Sequence, residues 1–335
     1  MATKAWATQQ QKAVEEIFFQ NEAVSLCLLV NRRARIMRVI DFRAGPTAAK
    51  RLFVISLAQR EGVDKVCTLV ERDEVATWVK LGFTKEGNIP GFYKRSDAFL
   101  LGAMVPRPTA ARLAGVSTRS TPPEKPRAKV LRGAVTRADA RKSQVQAADS
   151  GQSQGMTPAQ ERAERTVLHA RKLAKETPER AVAPSKVASI SESDARRAVA
   201  AAARSRRALT AFEPFGRDVE RRYFVATSRG GFELCASIES QGCFGNAYLE
   251  LLQSPKTDVE KAGTTGALAA LCEKLLADGV VSCFSLTPSD DVPLATAFAY
   301  SGFRRTGLLC AHLVLGNERK DAILWSRKLA NPSVE

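Results

Sequence analysis

The two histidines, His169 and His312, and the seven cysteines are the side chains of this 335-residue chain best suited to metal or nucleophile chemistry, and their spacing supports neither. The histidines lie far apart and no Cys-x-x-Cys pair occurs, which leaves almost no material for a zinc site or a histidine-activated nucleophile. Cys27 stands in Ser25-Leu26-Cys27-Leu28-Leu29 and Cys272 in Ala269-Ala270-Leu271-Cys272. Thiols in such apolar runs read as free, buried groups of a reducing compartment rather than a disulfide frame. Gly-x-Gly-x-x-Gly and the Walker lysine motif are absent, so the common nucleotide-cradling loops are not expected. The basic clusters Arg32-Arg33-Ala34-Arg35 and Arg304-Arg305 are short and read as turn or surface residues. No zinc finger, RNA-recognition signature or helix-turn-helix pattern is present.

Composition bounds the elements that must position any site. The chain is 44% hydrophobic and 26% charged, ordinary for a soluble protein, and its length suggests about two domains. No apolar run approaches the ~20 residues of a membrane span. The first twenty residues, with Lys4, Lys12, Glu15 and Glu16, lack the apolar core of a secretory signal, and a cytoplasmic location is the expectation. Trp6, Phe18 and Phe19 read as packing residues of an N-terminal helix.

The net charge of +16 is concentrated. Residues 107–207 carry 22 Lys and Arg against 9 Asp and Glu, a net of +13, and no Phe, Trp or Tyr. Such a stretch buries too little apolar area to offset its ordering entropy. The expected organisation is a short module over 1–105, a basic, Ala/Arg/Pro-rich disordered linker over 106–209, and a second module over 210–335. Thr157-Pro158 and Ser191 with Asp194 mark two helix starts inside the linker, neither followed by a broad apolar stripe. Its charge makes non-specific polyanion binding through 107–207 an expectation, steeply salt-dependent if it occurs.

The two halves repeat. Thr47-Ala48-Ala49 opens a helix ending at Glu61-Gly62, followed by a strand over Val63–Val70, a helix over Asp73–Leu81, Gly82-Phe83, Glu86-Gly87 and Asp97-Ala98-Phe99. Thr264-Thr265-Gly266 opens the counterpart, ending at Asp278-Gly279, followed by Val280–Leu286, Pro293–Ser301, Gly302-Phe303, Thr306-Gly307 and Asp321-Ala322-Ile323. Gly62 and Gly279 register at an offset of 217; Gly87 and Gly307 register at 220. About two strands precede the first helix of the first half (23–30 and 35–42) and about three that of the second (222–228, 232–239 and 247–253).

This order resembles the C-terminal half of the GNAT N-acetyltransferase superfamily. Lys80-Leu81-Gly82-Phe83 through Pro90-Gly91-Phe92-Tyr93, with Asp97-Ala98, resembles small-molecule acetyltransferases of the β-lysine type. The resemblance covers roughly 20–104 and 219–329. It implies an α/β fold of two GNAT-like modules in tandem, each a mixed, mainly antiparallel sheet flanked by helices.

It also implies acetyl-CoA, or another acyl-CoA, as cofactor, its pyrophosphate held by successive backbone N–H groups at a helix N-terminus. The first-half counterpart of that loop is Arg43-Ala44-Gly45-Pro46-Thr47-Ala48, in which Arg43, Thr47 and Ala48 fit and Pro46 lacks a donor. The second-half counterpart is Glu260-Lys261-Ala262 with Gly263, Thr264, Thr265 and Gly266, and its unbroken donors make the second half the expected cofactor site. Ordinary turn chemistry explains both stretches equally well. The tyrosine that serves many family members as acid is replaced by Trp78 and Phe298. Tyr93 and Tyr300 are the nearest substitutes, and Glu71, Glu74 and Glu86 the candidate bases, each with a plain alternative as a packed or solvated residue. Three functions remain in order: acyl-CoA-dependent N-acyl transfer to an unidentified amine; an inactive tandem module for binding or assembly; a nucleic-acid-associated protein acting through the basic linker.

Overall fold

The computed structural model describes residues 14–20, 25–41, 47–93, 96–106, 156–241 and 244–330. In the first half, β1 (Val14–Gln20), β2 (Ser25–Asn31) and β3 (Ile36–Asp41) lead to α1 (Ala48–Arg60), β4 (Lys65–Val70), α2 (Arg72–Lys80), β5 (Thr84–Ile89) and β6 (Ala98–Met104). The second half begins with α3 (Pro158–Glu176), β7 (Ser185–Ile190) and α4 (Glu192–Arg204). It continues through β8 (Glu220–Ser228), β9 (Glu233–Gln241), β10 (Asn246–Leu251), α5 (Asp258–Ala277), β11 (Ser282–Pro288), α6 (Val292–Tyr300), β12 (Arg304–Leu315) and β13 (Glu318–Lys328). The protein is thus a mixed α/β structure, with six α-helices among the described residues flanking a large, mainly antiparallel sheet. None of these helices is long and apolar enough to cross a membrane.

Two sequence expectations are corrected here. Residues 158–209 are not linker: α3, β7 and α4 belong to the second half. The absence of aromatic residues and of a broad apolar stripe misleads because both helices pack mainly through small side chains. Ala163, Thr166, Val167 and Ala170 form the buried stripe of α3, which lies against α6, while Ala195 and Ala202 are the buried contacts of α4. Small side chains let helix backbones approach closely, so a narrow stripe suffices. The basic stretch 107–155 lies outside the described residues. The segment around Phe18 and Phe19 is a strand, not a helix: Ile17 and Phe19 turn toward the core while Phe18 is exposed, and Phe19 stacks on Phe53 at 4.0 Å. Trp6 lies outside the described residues.

The thirteen strands among the described residues form one sheet in the order β1-β2-β3-β4-β6-β5-β12-β13-β11-β10-β9-β8-β7. Read from either edge, the halves have the same topology, with β7 an extra edge strand of the second. They meet where Gly87 of β5 faces Gly307 of β12, the two glycines that register in the repeat. A Cβ on Gly87 would lie 2.9 Å from the Gly307 Cα, and one on Gly307 would lie 2.5 Å from the Glu86 carbonyl oxygen. Only residues without a side chain allow this approach.

Each half has its own core, Leu28, Met37, Val66, Trp78 and Phe83 in the first, Leu249, Leu268, Phe298 and Trp325 in the second. A third cluster joins Ile89 and Leu100 to Phe284, Leu309 and Leu324, so the halves share buried apolar surface and are not beads on a tether. Polar contacts reinforce the junction. Lys65 Nζ, fully buried, donates to both Glu86 carboxylate oxygens at 2.8 and 2.7 Å and to the Cys310 carbonyl at 2.6 Å. The Cys310 amide returns a bond to Glu86 at 3.1 Å.

Candidate functional site

Two features of the fold bear on chemistry: the ends of the helices that follow β3 and β10, and a cavity between the halves.

The helix ends differ. Thr47 caps α1, its hydroxyl accepting from the Lys50 amide at 3.2 Å, and the first turn contains no acidic residue. Ala48 is the first helical residue and is exposed; Arg43 lies outside the described residues. In the second half the helix starts earlier than expected. Thr257 is the cap of α5, its hydroxyl accepting from the Glu260 amide at 3.2 Å, and Glu260 reaches back to complete a capping box. That carboxylate also accepts from the Lys256 amide at 2.6 Å and from the Arg207 guanidinium at 2.9 and 2.7 Å. The bond to Arg207 is the main reason that Glu260 is held below the usual carboxylate range.

Gly263, Thr264, Thr265 and Gly266 therefore lie inside α5, where their amides serve the helix's own ladder. The donor loop expected there does not form. Thr264 is fully buried, and the Thr265 hydroxyl donates to the Lys261 carbonyl at 2.9 Å. The glycines serve packing: a Cβ on Gly263 would lie 2.3 Å from the Phe232 ring, and one on Gly266 would lie 1.9 Å from the Ala183 carbonyl oxygen.

The expected proton-transfer residues are not brought together. Tyr93 packs edge-on against Phe92 and Phe244 at 4.9 and 5.3 Å. Burial, with smaller contributions from Glu71 and Glu74, pushes its phenol up to about 12. Glu71 is the exposed N-cap of α2 and makes no side-chain capping bond. Tyr300 is half-buried at the end of α6. Glu86 is committed to Lys65, and burial raises its carboxyl above the ordinary value despite that partner.

The cavity, of about 130 Å³, lies where the parallel strands β10 and β11 part. β10 and β11 register only at Asn246–Ser282, Ala247–Cys283 and Tyr248–Phe284; Tyr248 at the last pair, and Glu250, Leu286 and Pro288 beyond it, line the space. Arg38 and Cys67, a registered pair of the parallel strands β3 and β4, form the facing wall. His312 enters from β12, where a bulge between Leu309 and Leu313 interrupts the ladder. First-half side chains contribute to holding that bulge, through the bonds of Lys65 and Glu86 to Cys310.

Electrostatics divide the cavity's polar groups. Glu250 accepts from Thr210 at 2.6 Å, Ser237 at 3.0 Å and Arg221 at 3.1 Å. Burial nevertheless raises its carboxyl above the usual value. Burial also raises the Tyr248 phenol well above 10, which keeps it protonated. His312 moves the other way: burial first, then Lys65, Arg319 and Arg38, lower its imidazole well below 6.5 and keep it neutral. Its Nδ1 is buried without a hydrogen-bond partner. Nothing in the run Leu308-Leu309-Cys310-Ala311-His312-Leu313 distinguishes it in sequence, because only the bulge places it at the cavity.

No family model and no curated protein matches this sequence. Among solved structures, the ribosomal-protein-S18-alanine N-acetyltransferase from Escherichia coli is similar over 45% of this chain and 97% of its own, at 16% identity and a TM-score of 0.34. A spermidine N-acetyltransferase from Vibrio cholerae, solved with CoA and spermine, is similar over 44% of this chain and 96% of its own, at 10% identity and a TM-score of 0.36. Likeness at that level transfers no activity; what bears on function is this chain's own strand order and side chains.

Proposed function

We propose that the protein is an acyl-CoA-dependent N-acyltransferase built from two GNAT-like modules that close on a shared cavity. The observation that carries this reading is the parallel strand pair in each half, β3–β4 and β10–β11, inside an otherwise antiparallel sheet. Each pair registers briefly and then parts, leaving strand backbone against which an extended pantetheine arm can pair. The helix after the first strand of each pair supplies the end at which a pyrophosphate would sit.

The two ends fit that group unequally. At α5 the carboxylate of Glu260 already occupies the positive end of the helix, and like charge opposes a phosphate there. At α1 no first-turn carboxylate competes, so Thr47 and Ala48 are the residues that would hold it, and the first half replaces the second as the proposed cofactor side. A bound acyl-CoA would supply the acyl group as a thioester. The chain's contribution at the cavity is a neutral imidazole, His312, able to accept a proton, and a protonated phenol, Tyr248, able to donate a hydrogen bond. The partial enclosure by both halves limits water.

The test is release of free thiol from acetyl-CoA in the presence of a panel of small amines. Amine-dependent release that falls in His312→Asn supports the reading. Binding of acetyl-CoA with no turnover for any amine supports instead the inactive tandem module, which the buried Trp78 and Phe298 in place of a tyrosine acid favour.

A further inference from the structure

Most polar groups around the cavity are paired. Glu250 has its three donors, and Glu213 holds Asn31 at 2.7 Å and lies 2.9 Å from Arg33. Glu239 accepts the amides of Phe215 and Gly216 at 2.8 and 2.6 Å and pairs with Arg221. Arg38 is different. It donates from one terminal nitrogen to the Phe215 carbonyl and lies over the Phe215 ring at 4.3 Å, but it forms no ion pair among the described residues. Its Nε is buried without a partner. His312, 8% exposed, also lines the cavity with an unpartnered buried nitrogen.

A guanidinium stays charged on losing its hydration, and Arg38, half-buried and facing the Glu239 carboxylate's field without forming an ion pair among the described residues, keeps part of that desolvation penalty. Buried polar atoms left unbonded call for an explanation, and of the unbonded buried nitrogens among the described residues those of Arg38 and His312 belong to residues that line this cavity. An acceptor-only anion satisfies both groups at once, one oxygen taking the Arg38 N–H and the other taking His312 in its Nδ1–H tautomer. A space of about 130 Å³ suits a small acid, since a cavity of roughly 150 Å³ holds a benzene-sized guest.

We infer that Arg38 and His312 form a subsite for a small carboxylate, placed by opposite halves of the chain on one cavity. Resting on the proposed acyl transfer, this makes the acceptor a small amino carboxylate, anchored by its acid group while its amine is acylated.

The test uses the full chain without coenzyme. Propionate and its neutral isostere propionamide are titrated while the two imidazole resonances are followed by NMR. His312 and His169 are the chain's only histidines, and His169 lies exposed on α3, so it serves as an internal control. Propionate is expected to shift the His312 resonances saturably without moving those of His169, and propionamide to move neither. Arg38→Met is expected to weaken propionate binding at least tenfold while raising the melting temperature without ligand, because it removes a half-buried charge that forms no ion pair among the described residues. If Arg38 serves only to hold the Phe215 carbonyl, Arg38→Met lowers the melting temperature and propionate binds neither protein, which overturns the inference. Should Arg38→Met fail to fold, His312→Phe is expected to abolish the propionate-induced rise in melting temperature; a rise that survives overturns the inference. Thiol release from acetyl-CoA without propionate binding also overturns it and leaves the proposed function standing. Propionate binding without thiol release for any amine, amino carboxylates included, keeps the subsite and removes the proposed function.

Discussion

The first half and the second arrange their strands in the same order and end the same helix at registered positions, Arg60 and Ala277, yet the helix has 13 residues in one and 20 in the other. The additional residues lie at the N-terminus, about two turns. They move the helix start to a Thr-x-x-Glu capping box, whose carboxylate occupies the place where an anionic ligand would sit. The first half starts at Thr47 with no acidic residue in its first turn. A repeated topology therefore does not carry a repeated site. The first half retains an end compatible with phosphate, and the second contributes His312, Tyr248 and Glu250 to the cavity.

The junction holding that division of labour together gives the largest expected effect. Lys65→Met leaves Glu86 buried without its counter-ion and is expected to destabilise the protein by about 3–5 kcal/mol, measured by urea unfolding. Adding Glu86→Leu is expected to restore most of the loss, since an apolar pair replaces a buried ionic one. A single-variant loss below about 1 kcal/mol would show that the pair is hydrated and the halves separate readily.

The next effect tests whether the junction is symmetric. Gly87→Ala and Gly307→Ala place a Cβ against the opposing backbone from either side, and each is expected to cost about 1–3 kcal/mol. Similar losses support equivalent strands; a cost confined to one side would break the comparison.

How much of this is legible in sequence follows from particular residues. The matching order of elements in the two halves was legible because Gly62 and Gly279 end the corresponding helices and Gly87 and Gly307 face each other, positions where a positive φ or a close backbone approach demands glycine. α3 and α4 were hidden because Ala163, Ala170, Ala195 and Ala202 do by close approach what Leu or Phe does by bulk. The start of α5 was misplaced because Gly263-Thr264-Thr265-Gly266 has the composition of a turn, although two close contacts with Phe232 and Ala183 are what require the glycines. The cavity was invisible because Arg38, Tyr248 and His312 lie far apart in sequence, and Arg38 meets the other two only through pairing of the halves.

A smaller effect concerns pH. His312 is held well below 6.5 when folded, so between that depressed value and about 6.5 the unfolded chain binds a proton that the folded chain does not. Stability must then fall as pH drops below about 6.5, with a limiting slope of about 1.4 kcal/mol per pH unit from this residue. In His312→Asn that contribution is expected to vanish, flattening the acid limb of a denaturation series from pH 7.5 to 5. An unchanged slope would mean that the imidazole is solvated and does not face a closed cavity.

The central claim is that coenzyme binding belongs to the α1 end, and calorimetric titration of acetyl-CoA tests it most directly. The wild-type chain is expected to bind one equivalent. Ala48→Glu, which gives α1 the first-turn carboxylate that α5 already has, is expected to weaken binding at least tenfold, about 1.4 kcal/mol, without harming the fold, since acidic groups stabilise helix N-termini. Glu260→Gln is expected to leave both affinity and stoichiometry unchanged. No binding by the wild-type chain, or binding insensitive to Ala48→Glu and altered by Glu260→Gln, would contradict the account.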